Sequence, residues 1–239
     1  MKHIIGLSGG KDSTAMALRL AEVEPREYEF ICTPTGNEPA AMFAHWRKLG
    51  VLLGKAVTPL MSESLGMLIE RQHALPNWRQ RWCTRILKIE PFIKYTQANA
   101  PCTTYIGLRA DEDDREGTEY DNPTTDIVQR FPLREWGWGI TEVLDYLKFR
   151  DVTIPERTDC EVCFFQTLWE WYALWRDNPE GYSQGEEWER LVGHTFRSPQ
   201  RDTQPTALKD LRAKFESGYV PKERRRDSMK AMQCRACTL

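Results

Sequence analysis

The stretch Ser8-Gly9-Gly10-Lys11-Asp12-Ser13 constrains this chain most, because of what flanks it. Before it, His3 to Leu7 reads as a short buried strand. After it, Ala15, Met16, Leu18 and Leu20 keep helical spacing to about Glu24. A strand that turns through glycines into a helix leaves the first helical N–H groups without partners, and the helix dipole makes that end attractive to anions. The glycines permit a tight turn and close approach of backbone to a ligand. Lys11 adds a mobile positive charge, Ser8 and Ser13 add hydroxyl donors, and Asp12 or Ser13 can cap the helix. The spacing is not that of the longer Walker loop, which places four residues between its first glycine and Gly-Lys. The alternative is an ordinary glycine turn; a lysine and two serines around the glycines favour a phosphate cradle.

Strands and helices continue to alternate. Tyr28 to Thr33 reads as a second strand, followed by the turn Pro34-Thr35-Gly36-Asn37-Glu38. Pro39 to Leu53 reads as a helix with Met42, Phe43, Trp46 and Leu49 inward, Lys55 to Leu60 as a third strand, and Ser64 to Arg71 as a helix. Arg85 to Ala98 follows as a helix and Cys102 to Leu108 as a β-branched, aromatic strand. This order predicts an α/β fold: a doubly wound, mostly parallel sheet with helices on both faces. Beyond residue 110 the pattern changes. Asp111 to Asp126 is acidic and loop-like, Thr141 to Arg150 reads as a helix, and Phe164 to Trp175 as an aromatic-rich helix. Its Trp169, Trp171, Tyr172 and Trp175 suit packing better than base stacking. The expected division is a nucleotide-binding domain over residues 1–170 and a helical or irregular C-terminal extension over 171–239.

A hydrophobic fraction of 41% supports a core without disulfides, and a net charge of −2 excludes a polycation. Nucleic-acid contact would need a local patch, such as Arg79, Arg81 and Arg85 around Trp78 and Trp82, or the run Lys222 to Arg226; each can equally be a solvated face. No signal peptide or membrane span is read, and cytoplasm is the expected compartment. There, seven cysteines point to metal or catalysis. Cys160-x-x-Cys163 and Cys234-x-x-Cys237 are two knuckle-type pairs, able together to hold zinc or an iron–sulfur cluster if they meet. A redox dithiol is the other reading of Cys160 and Cys163. Cys32 and Cys102 fall within strands as small buried hydrophobes, and His3, His45, His73 and His194 show no ligand spacing.

The hexapeptide resembles the PP-loop of ATP pyrophosphatases in the adenine-nucleotide α-hydrolase-like superfamily. Cys83-Thr84-Arg85-Ile86-Leu87-Lys88-Ile89-Glu90-Pro91 resembles the Cys-Thr-x-x-Leu-Lys-x-x-Pro stretch of the 3′-phosphoadenylylsulfate (PAPS) reductase family and of the sulfur-incorporating enzymes of DNA phosphorothioation, the latter the nearer likeness. Thr35-Gly36-Asn37-Glu38 is similar to the family's Thr-Gly-x-Glu turn, and Gly107-Leu108-Arg109 with Arg115 to its Gly-x-Arg…Arg element. Pro132-Leu133, Trp138 and Cys160-x-x-Cys163 follow in family order, so the likeness spans about residues 1–170.

The resemblance implies roles. Ser8, Gly9, Gly10, Lys11, Asp12 and Ser13 would hold phosphates, and Thr33 and Thr35 would line the adenosine pocket. Lys88, Arg109 and Arg115 would face the anionic nucleotide or substrate, each equally readable as a surface ion pair. Iron–sulfur adenylylsulfate reductases carry Cys-Cys where Cys83-Thr84 stands here, then Cys-x-x-Cys at a separation that the 77 residues from Cys83 to Cys160 match. Three metal ligands carry over, Cys83, Cys160 and Cys163; a fourth could be Cys234 or Cys237, or be absent. PAPS reductases usually lack the lysine and second glycine of the loop, which this chain keeps. The implied activity is ATP-dependent sulfur transfer: Mg²⁺·ATP adenylates a tRNA or DNA acceptor with release of pyrophosphate, and sulfur from a donor then displaces AMP. Lys11, Asp12 and a tail thiol, Cys234 or Cys237, are the candidate catalytic groups, and a four-iron four-sulfur cluster, or zinc, the candidate metal. Two alternatives stand beside it: a PAPS or adenylylsulfate reductase with a thioredoxin-like reductant, and a non-catalytic nucleotide- or nucleic-acid-binding protein with structural zinc. A homodimer is a further expectation.

Overall fold

A computed structural model describes residues 1–112, 126–199 and 202–223. Arg115, Cys234, Cys237 and residues 224–226 of the basic run lie outside the described residues. Five strands form one all-parallel sheet: β1 (Lys2–Gly6), β2 (Tyr28–Cys32), β3 (Val57–Pro59), β4 (Cys102–Tyr105) and β5 (Ile127–Arg130), in the order β3-β2-β1-β4-β5. From β1 the chain winds outward to β2 and β3, then crosses back to β4 on the other side. The order therefore reverses between β1 and β4, and in open α/β sheets such a reversal opens a crevice at the carboxyl ends of the strands.

Alternation within β1 separates the two faces, as the pleat requires. Ile5 points to a core shared with Tyr28, Phe30 and Tyr105, covered by α1 (Lys11–Val23), α2 (Ala40–Leu52), α6 (Pro132–Glu135) and α7 (Ile140–Phe149). Ile4 points the other way, with Ile31, Cys102 and Ile106, against Phe92 of α5 (Glu90–Ala98). Cys32 and Cys102 are buried in their strands, as expected.

The C-terminal helices α8 (Leu168–Asp177), α9 (Pro179–Val192) and α10 (Leu208–Glu216) build a third core with α3 (Leu65–Gln72). Trp171 is fully buried in it, with Tyr172 and Trp175 packed against it. This core draws on Leu65 to Leu87 and on Val162 to Phe215, from both sides of residue 170.

One expectation needs correction. In α2 the inward stripe is Met42, His45 and Leu49, whereas Phe43 is 43% exposed. Spacing of three and four residues selects 42, 45 and 49; Phe43 lies one position off that stripe. The strand β5 is not announced by the sequence. Its four residues are half exposed at the sheet edge, and Ile127-Val128 is too short an apolar run to stand out after the acidic stretch.

Candidate functional site

The hexapeptide joins β1 to α1 at the carboxyl end of the sheet. Gly9 has φ +84°, and a Cβ there would stand 2.7 Å from Trp46 Nε1 and 2.8 Å from Met42 Cε, so backbone and space both demand glycine. Gly10 is extended and serves as the N-cap of α1, which begins at Lys11. The loop is drawn together by its own hydroxyls. Ser8 Oγ lies 3.0 Å from Ser13 Oγ and accepts from Gly10 N, while Ser13 Oγ donates to Gly10 O. Trp46 Nε1 donates to Ser8 O at 3.2 Å, and His45 hydrogen-bonds the Gly9 backbone while burial holds its pKa down.

Lys11 is only 2% exposed and its ammonium donates to Asp12 Oδ2 at 2.8 Å. Asp12 also accepts from Arg109 Nη1 at 3.2 Å. Arg109 arrives from the chain just after β4, donates to Asp111 through Nε at 2.7 Å, and lies 3.7 Å from Glu112. Burial opposes its charge, but Asp12 and Glu112 outweigh that and keep it protonated. The Gly-x-Arg spacing now has a mechanical reason: a Cβ on Gly107 would meet Ser13 N at 3.0 Å and the Asp12 carbonyl carbon at 3.1 Å. Only glycine lets this segment lie against the helix start and deliver Arg109 to Asp12.

Beside the loop lies a narrow cleft lined by Gly6, Ser8, Thr33, Glu38, Lys88 and Thr158, among others. Thr33 and Lys88 thus line the same cleft as Ser8. Lys88 sits on a single π-helical turn, Arg85–Ile89, between α4 (Trp82–Thr84) and α5. Such turns re-aim side chains and recur at functional sites. Glu38 belongs to a turn motif in the sequence, but nothing there singles it out as a site residue. Its Oε1 accepts from both Thr35 N and Thr35 Oγ1 at 2.7 Å, and its buried Oε2 has no protein partner among the described residues. An acceptor of that kind in the cleft wall suits a hydroxyl or a metal-bound water.

One thiol of the Cys-x-x-Cys loop is linked to this cleft through a threonine. Thr35 Oγ1 lies 3.3 Å from Cys160 Sγ, so one threonine touches both Glu38 and the Cys-x-x-Cys loop. Glu161 N donates to Asn37 O and Asn37 Nδ2 to Val162 O, stitching the two loops together. Burial pushes the Cys160 thiol up to about 11, Lys88 opposing, and pushes Cys163 further up, with Cys160 and Asp159 adding to it. Cys83 is near enough to Cys160 to influence its ionisation, and its own thiol is raised by burial. Arg81, stacked over Phe165, and Lys88 bring positive charge to Cys83, and Arg157 donates to Cys160 O at 2.5 Å. Of the basic residues considered for nucleic acid, Arg79 stacks over Trp78 and Arg85 pairs with Glu90.

A crevice at a sheet reversal, a glycine-cornered helix start beside it and one buried thiol, Cys160, joined through Thr35 to Glu38 of the wall define the class, an open parallel α/β domain with its site where the strand order reverses. The chain belongs to the phosphoadenosine phosphosulfate reductase domain family, whose sequence signature matches residues 2–157. The phosphate complex of a PAPS reductase from Candida auris shares the fold, with a TM-score of 0.50 and 15% identity over 65% of this chain and 76% of that one. An uncharacterised protein of Methanocaldococcus jannaschii, MJ0066, is 22% identical over 77% of this chain; the matched stretch spans 44% of that protein's length.

Among the described residues no three Cys, His, Asp or Glu side chains gather closely enough to hold a metal ion. Cys83, Cys160 and Cys163 share a corner, yet they do not by themselves form a ligand set. No helix among the described residues is long and apolar enough to cross a membrane.

Proposed function

We propose that this protein is an ATP-dependent sulfur-transfer enzyme that adenylates a nucleic-acid acceptor. One observation carries the reading: the contact chain Glu38–Thr35–Cys160 puts a buried thiol behind the wall of a cleft that Ser8, the first residue of the intact loop, also lines. The loop supplies N–H groups at the α1 start and the Lys11 ammonium, both suited to charge developing on a pentavalent α-phosphorus and on leaving pyrophosphate. Magnesium would supply further charge neutralisation, and the second carboxylate oxygen of Glu38 is the described group placed to hold one of its waters. Asp12, fixed by Arg109, holds Lys11 in position until phosphate oxygens compete for it.

An acceptor oxygen attacks the α-phosphorus, the α–β bond breaks, and pyrophosphate leaves. Sulfur from an external donor, carried as a cysteine persulfide, then displaces AMP. A neighbouring thiol of the Cys83, Cys160 and Cys163 corner releases the thiolated acceptor by forming a disulfide, which a thioredoxin-like dithiol reduces. Metal ligation at this corner would require a further ligand such as Cys234 or Cys237; iron and acid-labile sulfide assay after anaerobic purification tests it.

Incubation with α-labelled ATP and acceptor should yield labelled AMP and pyrophosphate, with Lys11→Ala slower by at least a hundredfold, the scale of removing one preorganised donor. Equal rates for both proteins would sink the reading. Sulfite released from PAPS, with ATP inert, would instead establish the reductase.

A further inference from the structure

A second cavity, of about 780 Å³, runs between α2 and the sheet edge at β3. Cys32 and Trp46 line it as well as the nucleotide cleft, so the two spaces meet at the indole that holds Ser8 O. Its remaining wall includes Phe43, Arg47, Val51, Lys55 and Val57. We infer that this groove is a base-binding channel for a single strand of the acceptor nucleic acid, leading its reactive nucleotide to the phosphate loop. The inference rests on the adenylation reading given above.

Three properties favour that occupant. First, the groove offers aromatic surface that the core leaves uncovered. Phe43 is 43% exposed and stands edge-on to Trp46 at 5.6 Å between ring centroids, and Val51 is 82% exposed. Bases stack on such surface without regard to sequence, at about 1–3 kcal/mol each. Second, Arg47 and Lys55 line the groove and neither forms an ion pair with a carboxylate among the described residues. Cations beside an apolar trough match a ligand that alternates bases with phosphates. Third, the groove runs on past the nucleotide cleft: Trp46 lines both spaces, while Arg47, Val51 and Lys55 line the groove alone. The rise of a helix puts Phe43 and Val51 about 12 Å apart along α2, room for successive bases of a strand.

Fluorescence anisotropy of labelled ten-nucleotide homopolymers, dT and rU, tests the assignment without ATP. The wild-type protein should bind, and Phe43→Ala should weaken binding about tenfold, the worth of one stacked base. A double variant, Arg47→Glu with Lys55→Glu, should weaken binding further and lower the slope of log affinity against log salt by about 1.4, about 0.7 for each single-strand phosphate no longer neutralised. All three side chains sit at the surface of the groove, so thermal melts should match wild type, and the affinity for ATP should stay within twofold. Absence of wild-type binding overturns the inference. So does unchanged oligonucleotide affinity in the variants. Loss of ATP affinity in step with oligonucleotide affinity also overturns it, because the groove would then be the ATP site itself. Failure of the adenylation reading is seen separately, as absence of AMP from ATP in a protein that still binds the oligonucleotide.

Discussion

Asp12 carries an uncommon load for one carboxylate. It receives the Lys11 ammonium on one side and the Arg109 guanidinium on the other, so phosphate loop and β4 are joined through a single side chain. That bridge exists because Gly107 has no side chain. Gly107→Ala forces a Cβ to within 3.0 Å of backbone at Ser13, where nothing flexible can yield. The expected outcome is a modest loss of stability, about 1–3 kcal/mol as for other overpacked sites, together with at least tenfold weaker ATP binding, because the helix start must shift. Urea unfolding and calorimetric titration would separate the two effects. Retention of full ATP affinity would show that Arg109 and Asp12 do not set the loop.

At the scale of elements, the site is made where two loops distant in sequence are fastened together. Asn37 Nδ2 reaches Val162 O at 3.0 Å, and Glu161 N reaches Asn37 O at 2.6 Å. Asn37→Ala leaves the Val162 carbonyl without its donor, at a cost of about 1–3 kcal/mol, and frees the Cys-x-x-Cys loop. Alkylation of Cys160 and Cys163 should then speed up severalfold while ATP affinity stays unchanged; equal alkylation rates would show that burial alone shields the thiols. The sequence displays both loops as motifs but not their meeting, since a hydrogen bond across 125 residues leaves no mark in local spacing. The same distinction separates what is legible elsewhere. β1, β2, β4 and α1 announce themselves through apolar runs bounded by glycine. The exposure of Phe43 escapes such a reading because an aromatic residue in a helical pattern looks like core, and nothing in the pattern says that the sheet edge beside it is left open. Glu38 stays hidden for a related reason: its value lies in an unsatisfied oxygen, a property of surroundings rather than of residue type.

For the whole molecule, Glu189 of α9 acts as a fastening inside the third core. Its carboxylate accepts from Phe196 N at 2.9 Å and from Leu208 N at 2.7 Å, tying α9 to the following loop and to the first turn of α10. Burial, reinforced by Glu186 and opposed by those two N–H groups and Arg197, lifts its pKa to about 7. The folded-state value lies above the unfolded one, so the folded protein binds more protons between the two. This group's contribution is therefore full below about pH 4.5 and is lost as pH rises through 7. Its worth is at most about 3 kcal/mol, from the shift of the pKa. Glu189→Gln cannot titrate. Between pH 5 and pH 8 the wild type should lose stability relative to this variant by up to that amount, measured as urea midpoints. A parallel pH dependence of the two proteins would remove Glu189 from this role.

The third core also bears on how the chain comes off the ribosome. Leu65, Leu68 and Ile69 of α3 belong to the same core as the C-terminal helices, and α3 packs on α9, where Gly66 lies close against Trp188. The strands β1 to β5 can pair as soon as residue 130 has been made, whereas the apolar face of α3 stays uncovered until α9 has emerged. A nascent chain of this protein thus carries a finished sheet beside an exposed greasy stripe for much of its synthesis. That is the interval in which it calls most on the cell's chaperones.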